Sequence, residues 1–101
     1  MGKKKIARLN KKTAQKLVKQ VLGISGAALT KEETGDEADI YHMTMGELKI
    51  KVENDWFGKT DLFIINISAP RSVHDNVIRL YFHPDTLEED WEAEEAWKKE
   101  E

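Results

Sequence analysis

Cysteine is absent from all 101 residues. That excludes a disulfide framework, thiol nucleophiles and any cysteine-ligated metal, and it suits a reducing compartment. Proline occurs twice and glycine six times, so no segment has linker or low-complexity composition. No apolar run nears the roughly 18 residues a membrane helix needs. The basic start Met1-Gly2-Lys3-Lys4-Lys5 is followed by no apolar stretch of signal-peptide length. The expected location is the cytoplasm, and no membrane partner is expected. Aromatic residues are missing from the first 40 positions, which leaves that region without a platform for stacked bases.

Catalytic signatures are missing too. Ser68 and Ser72 lie near His74, but no strained Gly-x-Ser-x-Gly turn presents either. Gly23-Ile24-Ser25-Gly26 is shorter than a phosphate loop and lacks its lysine. His42, His74 and His83 show no recognisable zinc-ligand spacing. The chain reads as a protein that is not an enzyme and carries no cofactor or metal.

What is present is charge, and it is divided. Residues 1–31 hold nine Lys or Arg and no acid, while the remaining seven basic residues stand against nineteen acids, for a net charge of −3. Such polarity points to charged partners. With 40% apolar residues the chain folds as one α+β domain.

Residues 1–9 read as a basic flexible arm and 10–101 as the domain, with Ile6 and Leu9 placed to dock on it. Asn10 is a helix N-cap, Leu9 and Ala14 have staple spacing, and Ala14, Leu17, Val18, Val21 and Leu22 share one stripe. The spacing predicts a helix over 11–22, stopped at Gly23. Ala27–Thr30 fits a short strand or a connection, and Lys31–Glu37 reads as an exposed loop. Strands are predicted over 40–45, 48–53, 61–67 and 77–82. The second alternates apolar and charged residues, and the third is apolar on both faces. Thr86 and Glu89 have capping-box spacing and predict an acidic C-terminal helix over 86–99, with Leu87, Trp91, Ala93 and Trp97 as its apolar stripe. The expected architecture is α-β-β-β-β-α, an antiparallel meander with the N-terminal helix packed on one face. The order is similar to the α-β-β-β-α of double-stranded-RNA-binding domains. Their basic second helix, however, corresponds here to the most acidic segment.

Two surfaces follow as binding candidates. Asp85, Glu88, Glu89, Glu92 and Glu95, with Trp91 and Trp97 among them, form a carboxylate array able to imitate phosphates in a cationic groove. Tryptophan is enriched at interface hot spots. Trp56 and Phe57 are adjacent aromatics in a turn, and both cannot enter one core, so one is expected to anchor a partner. The alternative surface is Lys3, Lys4, Lys5 and Arg8 on the arm, continued by Lys12, Lys16 and Lys19 on the helix, which would neutralise nucleic-acid phosphates. The leading expectation is a non-catalytic inhibitor that binds a protein partner. Its character matches phage accessory proteins of the anti-CRISPR type, which block a nucleic-acid-binding host protein. The alternative is a small nucleic-acid-binding module. A homodimer, joined through the opposite charges, is a third expectation.

Overall fold

Asn10 opens the first helix, α1 (Lys11–Leu22): its extended backbone lets Oδ1 accept the Thr13 N–H at 2.8 Å. Gly23 closes it at φ 76, donating its N–H to the Lys19 carbonyl at 2.8 Å in a left-handed turn that suits a residue without Cβ. Between these caps Ala14, Leu17 and Val18 are buried, while Lys12, Lys16 and Lys19 are exposed. The computed structural model describes residues 6–69 and 78–99.

Five strands follow α1: β1 (Ala28–Thr34), β2 (Asp39–Met45), β3 (Leu48–Asn54), β4 (Phe63–Ser68) and β5 (Ile78–Phe82). They pair antiparallel in sequence order, so the sheet is an open meander, and α2 (Trp91–Lys99) ends the fold. This is the expected α+β architecture with one strand added at the edge. Lys31–Thr34, predicted as loop, pairs with His42–Asp39 as the second half of β1. Nearly every residue of β1 is exposed. An edge strand wet on both faces shows no alternation, and its charged side chains discourage pairing with another chain. Only residues 35–38 form the turn, where Gly35 N–H donates to the Ala38 carbonyl at 2.8 Å.

Period-two alternation divides the sheet into two faces. Tyr41, Met43, Ile50, Val52, Ile65 and Phe82 lie on the first, buried beneath α1 together with Leu9. The second face carries cross-strand rows of a different kind. One runs Ile40, Glu53, Ile64, Tyr81; the next runs His42, Lys51, Asn66, Arg79; a third runs Thr44, Lys49, Ser68. Helix α2 covers only one corner, where Ala93 and Trp97 pack on Leu62, Ile64 and Tyr81. Leu62 to Ile65 are all buried because β4 has a hydrophobic layer on both sides.

The C-terminal helix begins later than the capping-box spacing predicted. Residues 83–90 fold back along β5 instead: His83 N–H donates to the Glu88 carbonyl, Asp90 N–H donates to the Tyr81 carbonyl, and Glu89 bridges Phe82. Leu87 takes φ 61 and packs into the α1 side of the core, so it cannot share a helical stripe with Trp91. The cap is Asp90, whose Oδ1 accepts the Ala93 N–H at 3.0 Å, while Thr86 Oγ1 accepts the Glu88 N–H at 3.2 Å in a local turn. Among the described residues no helix is long and apolar enough to cross a membrane.

Candidate functional site

The return segment and α2 present the acidic residues outward. Asp85, Glu88, Glu89, Glu92 and Glu95 are all exposed, and Trp91 beside them is 73% exposed. Trp91, Glu92, Glu95, Ala96 and Lys99 line one shallow groove on the helix surface that faces away from the sheet. The other tryptophan of this helix is spent differently. Trp97 is half-buried over Tyr81, with the Arg79 guanidinium carbon 5.4 Å from its ring centroid. The helix is therefore fastened by Ala93, Glu94 and Trp97, while Trp91 stays in solvent.

Glu94 is the fastening the sequence did not reveal. Its side chain turns under the helix, where Oε2 accepts the Tyr81 backbone N–H at 3.1 Å. Burial pushes its carboxyl up to about 7, and a hydrogen bond shared with Glu89 pushes the same way.

The aromatic turn between β3 and β4 treats its two rings differently. Trp56 is half-buried, donating Nε1–H to Glu53 Oε1 at 3.1 Å, and Phe57 stacks on it at 3.8 Å between centroids while remaining 72% exposed. Asp55 fixes the turn by accepting both the backbone and hydroxyl hydrogens of Thr60. Phe57 and Trp97 both line a groove of about 490 Å³, together with Asp55, Arg79 and Tyr81.

The basic N-terminal surface is split by the fold. Lys12, Lys16 and Lys19 lie exposed along a groove with Ile24, and α2 packs on the other side of the sheet, so the acidic helix does not cover them. Arg8 is not part of any free basic arm. Its Nε and Nη2 clamp the two Asp39 oxygens at 2.7 and 2.9 Å, and its remaining donors reach the Asp36 and Gly35 carbonyls. With the guanidinium so occupied, Arg8 has little left for a phosphate. Lys3, Lys4 and Lys5 lie outside the described residues.

A second cationic surface went unnoticed in the sequence. The half of the second sheet face that α2 does not cover has a cleft of about 550 Å³ lined by Lys31, Lys49, Lys51 and Arg79 with Asn66 and Ser68. These residues are scattered along β1, β3, β4 and β5, and only the cross-strand register unites them. The alternation of Lys49 and Lys51 with Ile50 and Val52 was visible and marked a wet face, but not a shared cationic one. His42 also borders the cleft, and its Nε2 meets Glu33 Oε2 at 2.7 Å, which with Lys31 holds the Glu33 carboxyl below its ordinary value. His83 Nε2 lies 3.2 Å from Asp90 Oδ2. Among the described residues no group of three or more His, Cys, Asp or Glu converges as a metal site would require.

No family model, no curated protein and no solved structure matches this chain.

Proposed function

We propose that this chain is a non-catalytic binding protein that docks on a cationic protein surface through its acidic, tryptophan-bearing C-terminal segment. The observation that carries this reading is Trp91, 73% exposed amid the exposed carboxylates of Asp85, Glu88, Glu89, Glu92 and Glu95. A large ring left in water on a helix that is already anchored by Trp97 gains free energy only when a partner covers it. The surrounding carboxylates would steer the encounter toward a groove that normally holds phosphates. Phe57, on the same side of the sheet, extends the surface. The proposed role is that of a phage-type anti-defence inhibitor, anti-CRISPR-like in action, occupying the nucleic-acid groove of a host protein.

Gel-shift competition against a panel of RNA-guided nucleases and their target DNA tests this. The chain is expected to release DNA from its target nuclease, and the combined change of Glu88, Glu89, Glu92 and Glu95 to Gln is expected to abolish release. Inhibition left intact in that variant, or no release from any nuclease of the panel, would overturn the reading.

A second reading is nucleic-acid binding through the lysine face of α1. It is favoured by the exposure of Lys12, Lys16 and Lys19, which the acidic helix leaves uncovered. It predicts affinity that falls steeply with salt and is lost on changing these lysines to Gln.

A further inference from the structure

The second sheet face joins two features that lie far apart in the chain, a cationic cleft and an exposed aromatic platform, and Arg79 belongs to both. Among the described residues the cleft is lined by four cationic side chains, Lys31, Lys49, Lys51 and Arg79, and by no carboxylate. Two of the four are partly neutralised: Lys31 lies 3.6 Å from Glu33 and Lys51 lies 3.4 Å from Glu53. Lys49 is exposed, and neither it nor Arg79 has a carboxylate partner among the described residues.

Arg79 is also held in position. Its Nε donates to the Tyr81 hydroxyl at 2.9 Å, and Nη1 reaches Asn66 Oδ1 at 3.4 Å. Its carbon sits 5.4 Å from the centroids of both the Tyr81 and Trp97 rings. A guanidinium fixed by a hydroxyl and two rings, with no ion-pair partner among the described residues, is arranged to receive an oxyanion. Phe57 lines a second groove together with Arg79; it is exposed and braced by Trp56, whose indole is itself tethered to Glu53. A rigid ring with one free face is a stacking platform for an unpaired base.

We propose that this face binds single-stranded nucleic acid, with phosphates along Lys49, Lys51 and Arg79 and a base stacked on Phe57. Single strands fit where a duplex does not. The base must be unpaired to lie flat on Phe57, and clefts of about 550 and 490 Å³ match a few nucleotides rather than a double helix. Sequence preference would be slight, because stacking and phosphate contacts read no base edges. This site shares Phe57 with the proposed acidic surface but neither Trp91 nor its carboxylates, and it shares nothing with the lysine face of α1, so each of the three can fail separately.

The test is fluorescence anisotropy with labelled oligothymidylate, oligouridylate and a duplex of equal length, over a series of salt concentrations. Both single strands are expected to bind the full-length chain at low salt, and the duplex is expected to bind markedly more weakly. Phe57→Ala should weaken single-strand binding about tenfold, as removal of one base stack would. Lys49→Gln with Lys51→Gln should flatten the logarithmic salt slope by about 1.4, or roughly 0.7 for each phosphate no longer neutralised. All three side chains lie on the surface, and unchanged melting temperatures would confirm that the variants fold. Failure of either single strand to bind the wild type at low salt would overturn the proposal, as would equal binding of the duplex. So would affinity that survives these variants and disappears instead on changing Lys12, Lys16 and Lys19 to Gln.

Discussion

Arg8 closes on Asp39 with two parallel hydrogen bonds, Nε to Oδ2 at 2.7 Å and Nη2 to Oδ1 at 2.9 Å. The carboxylate is buried, and its Oδ2 also accepts the Leu9 backbone N–H at 3.0 Å. Asn54 completes the knot, accepting the Asp39 N–H and donating Nδ2 to the Ala7 and Glu37 carbonyls. Three segments, the end of the arm, the first hairpin turn and the end of β3, are thus tied by one set of polar interactions. With these partners no buried side-chain polar atom among the described residues lacks a hydrogen bond.

Breaking this knot should destabilise the fold. Asp39→Ala leaves the buried Leu9 N–H unpaired and is expected to cost about 2 kcal/mol in chemical denaturation. The Arg8 guanidinium holds the Asp39 carboxyl below its ordinary value, so this pair stabilises the fold above pH 3.8 and ceases to do so as pH falls through the lower folded value. Arg8→Gln should therefore move the acid-unfolding midpoint upward. An unchanged midpoint would show that the ion pair contributes nothing.

Glu94 gives the opposite pH dependence. Its carboxyl is raised from 4.5 to about 7 in the folded chain, so the folded state holds a proton that the unfolded state releases earlier. Stability from this group is fully present below pH 4.5 and is lost as pH rises to about 7. Glu94→Gln keeps an acceptor for the Tyr81 N–H and removes the ionisation. It is expected to raise the melting temperature at about pH 8 by several degrees relative to wild type, with little change at about pH 4. Equal shifts at both pH values would contradict this assignment.

The two tryptophans of α2 should separate cleanly. Trp97→Ala removes the ring packed on Leu62, Ile64 and Tyr81 and is expected to cost roughly 2 kcal/mol. Trp91→Ala removes a solvent-exposed ring and should stay within about 0.5 kcal/mol of wild type. Urea unfolding of the two variants checks both values, and a Trp91 variant as unstable as the Trp97 variant would place Trp91 in the core.

The parts legible in the sequence were those whose neighbours are local. The caps at Asn10 and Gly23, the alternation along β3 and the double-sided burial of Leu62 to Ile65 are each written within a few residues, and the structure has them, except that the alternation of β3 ends at Val52, where Glu53 is buried too. What escaped depends on partners distant in the chain. β1 carries no alternation because both its faces meet water, and only β2 makes it a strand. Glu94 resembles its exposed neighbours until Tyr81 supplies a buried N–H. Arg8 looks like one more cation of a basic arm until Asp39 arrives from β2. The cationic cleft is assembled by register alone, since Lys31, Lys49 and Arg79 share no segment. Capping-box spacing at Thr86 and Glu89 was real but idle, because pairing of residues 83–90 with β5 took precedence over helix formation.

Whether the acidic surface is the working one is decided by binding isotherms against a nuclease that the wild type displaces from DNA. Wild type is compared with Trp91→Ala and with the Glu88, Glu89, Glu92 and Glu95 to Gln variant. Trp91→Ala is expected to lose on the order of 30-fold in affinity, as an interface hot spot of about 2 kcal/mol would, without losing stability. The four-Gln variant is expected to bind more weakly and with less dependence on salt. Affinities equal to wild type in both variants would contradict docking through this surface.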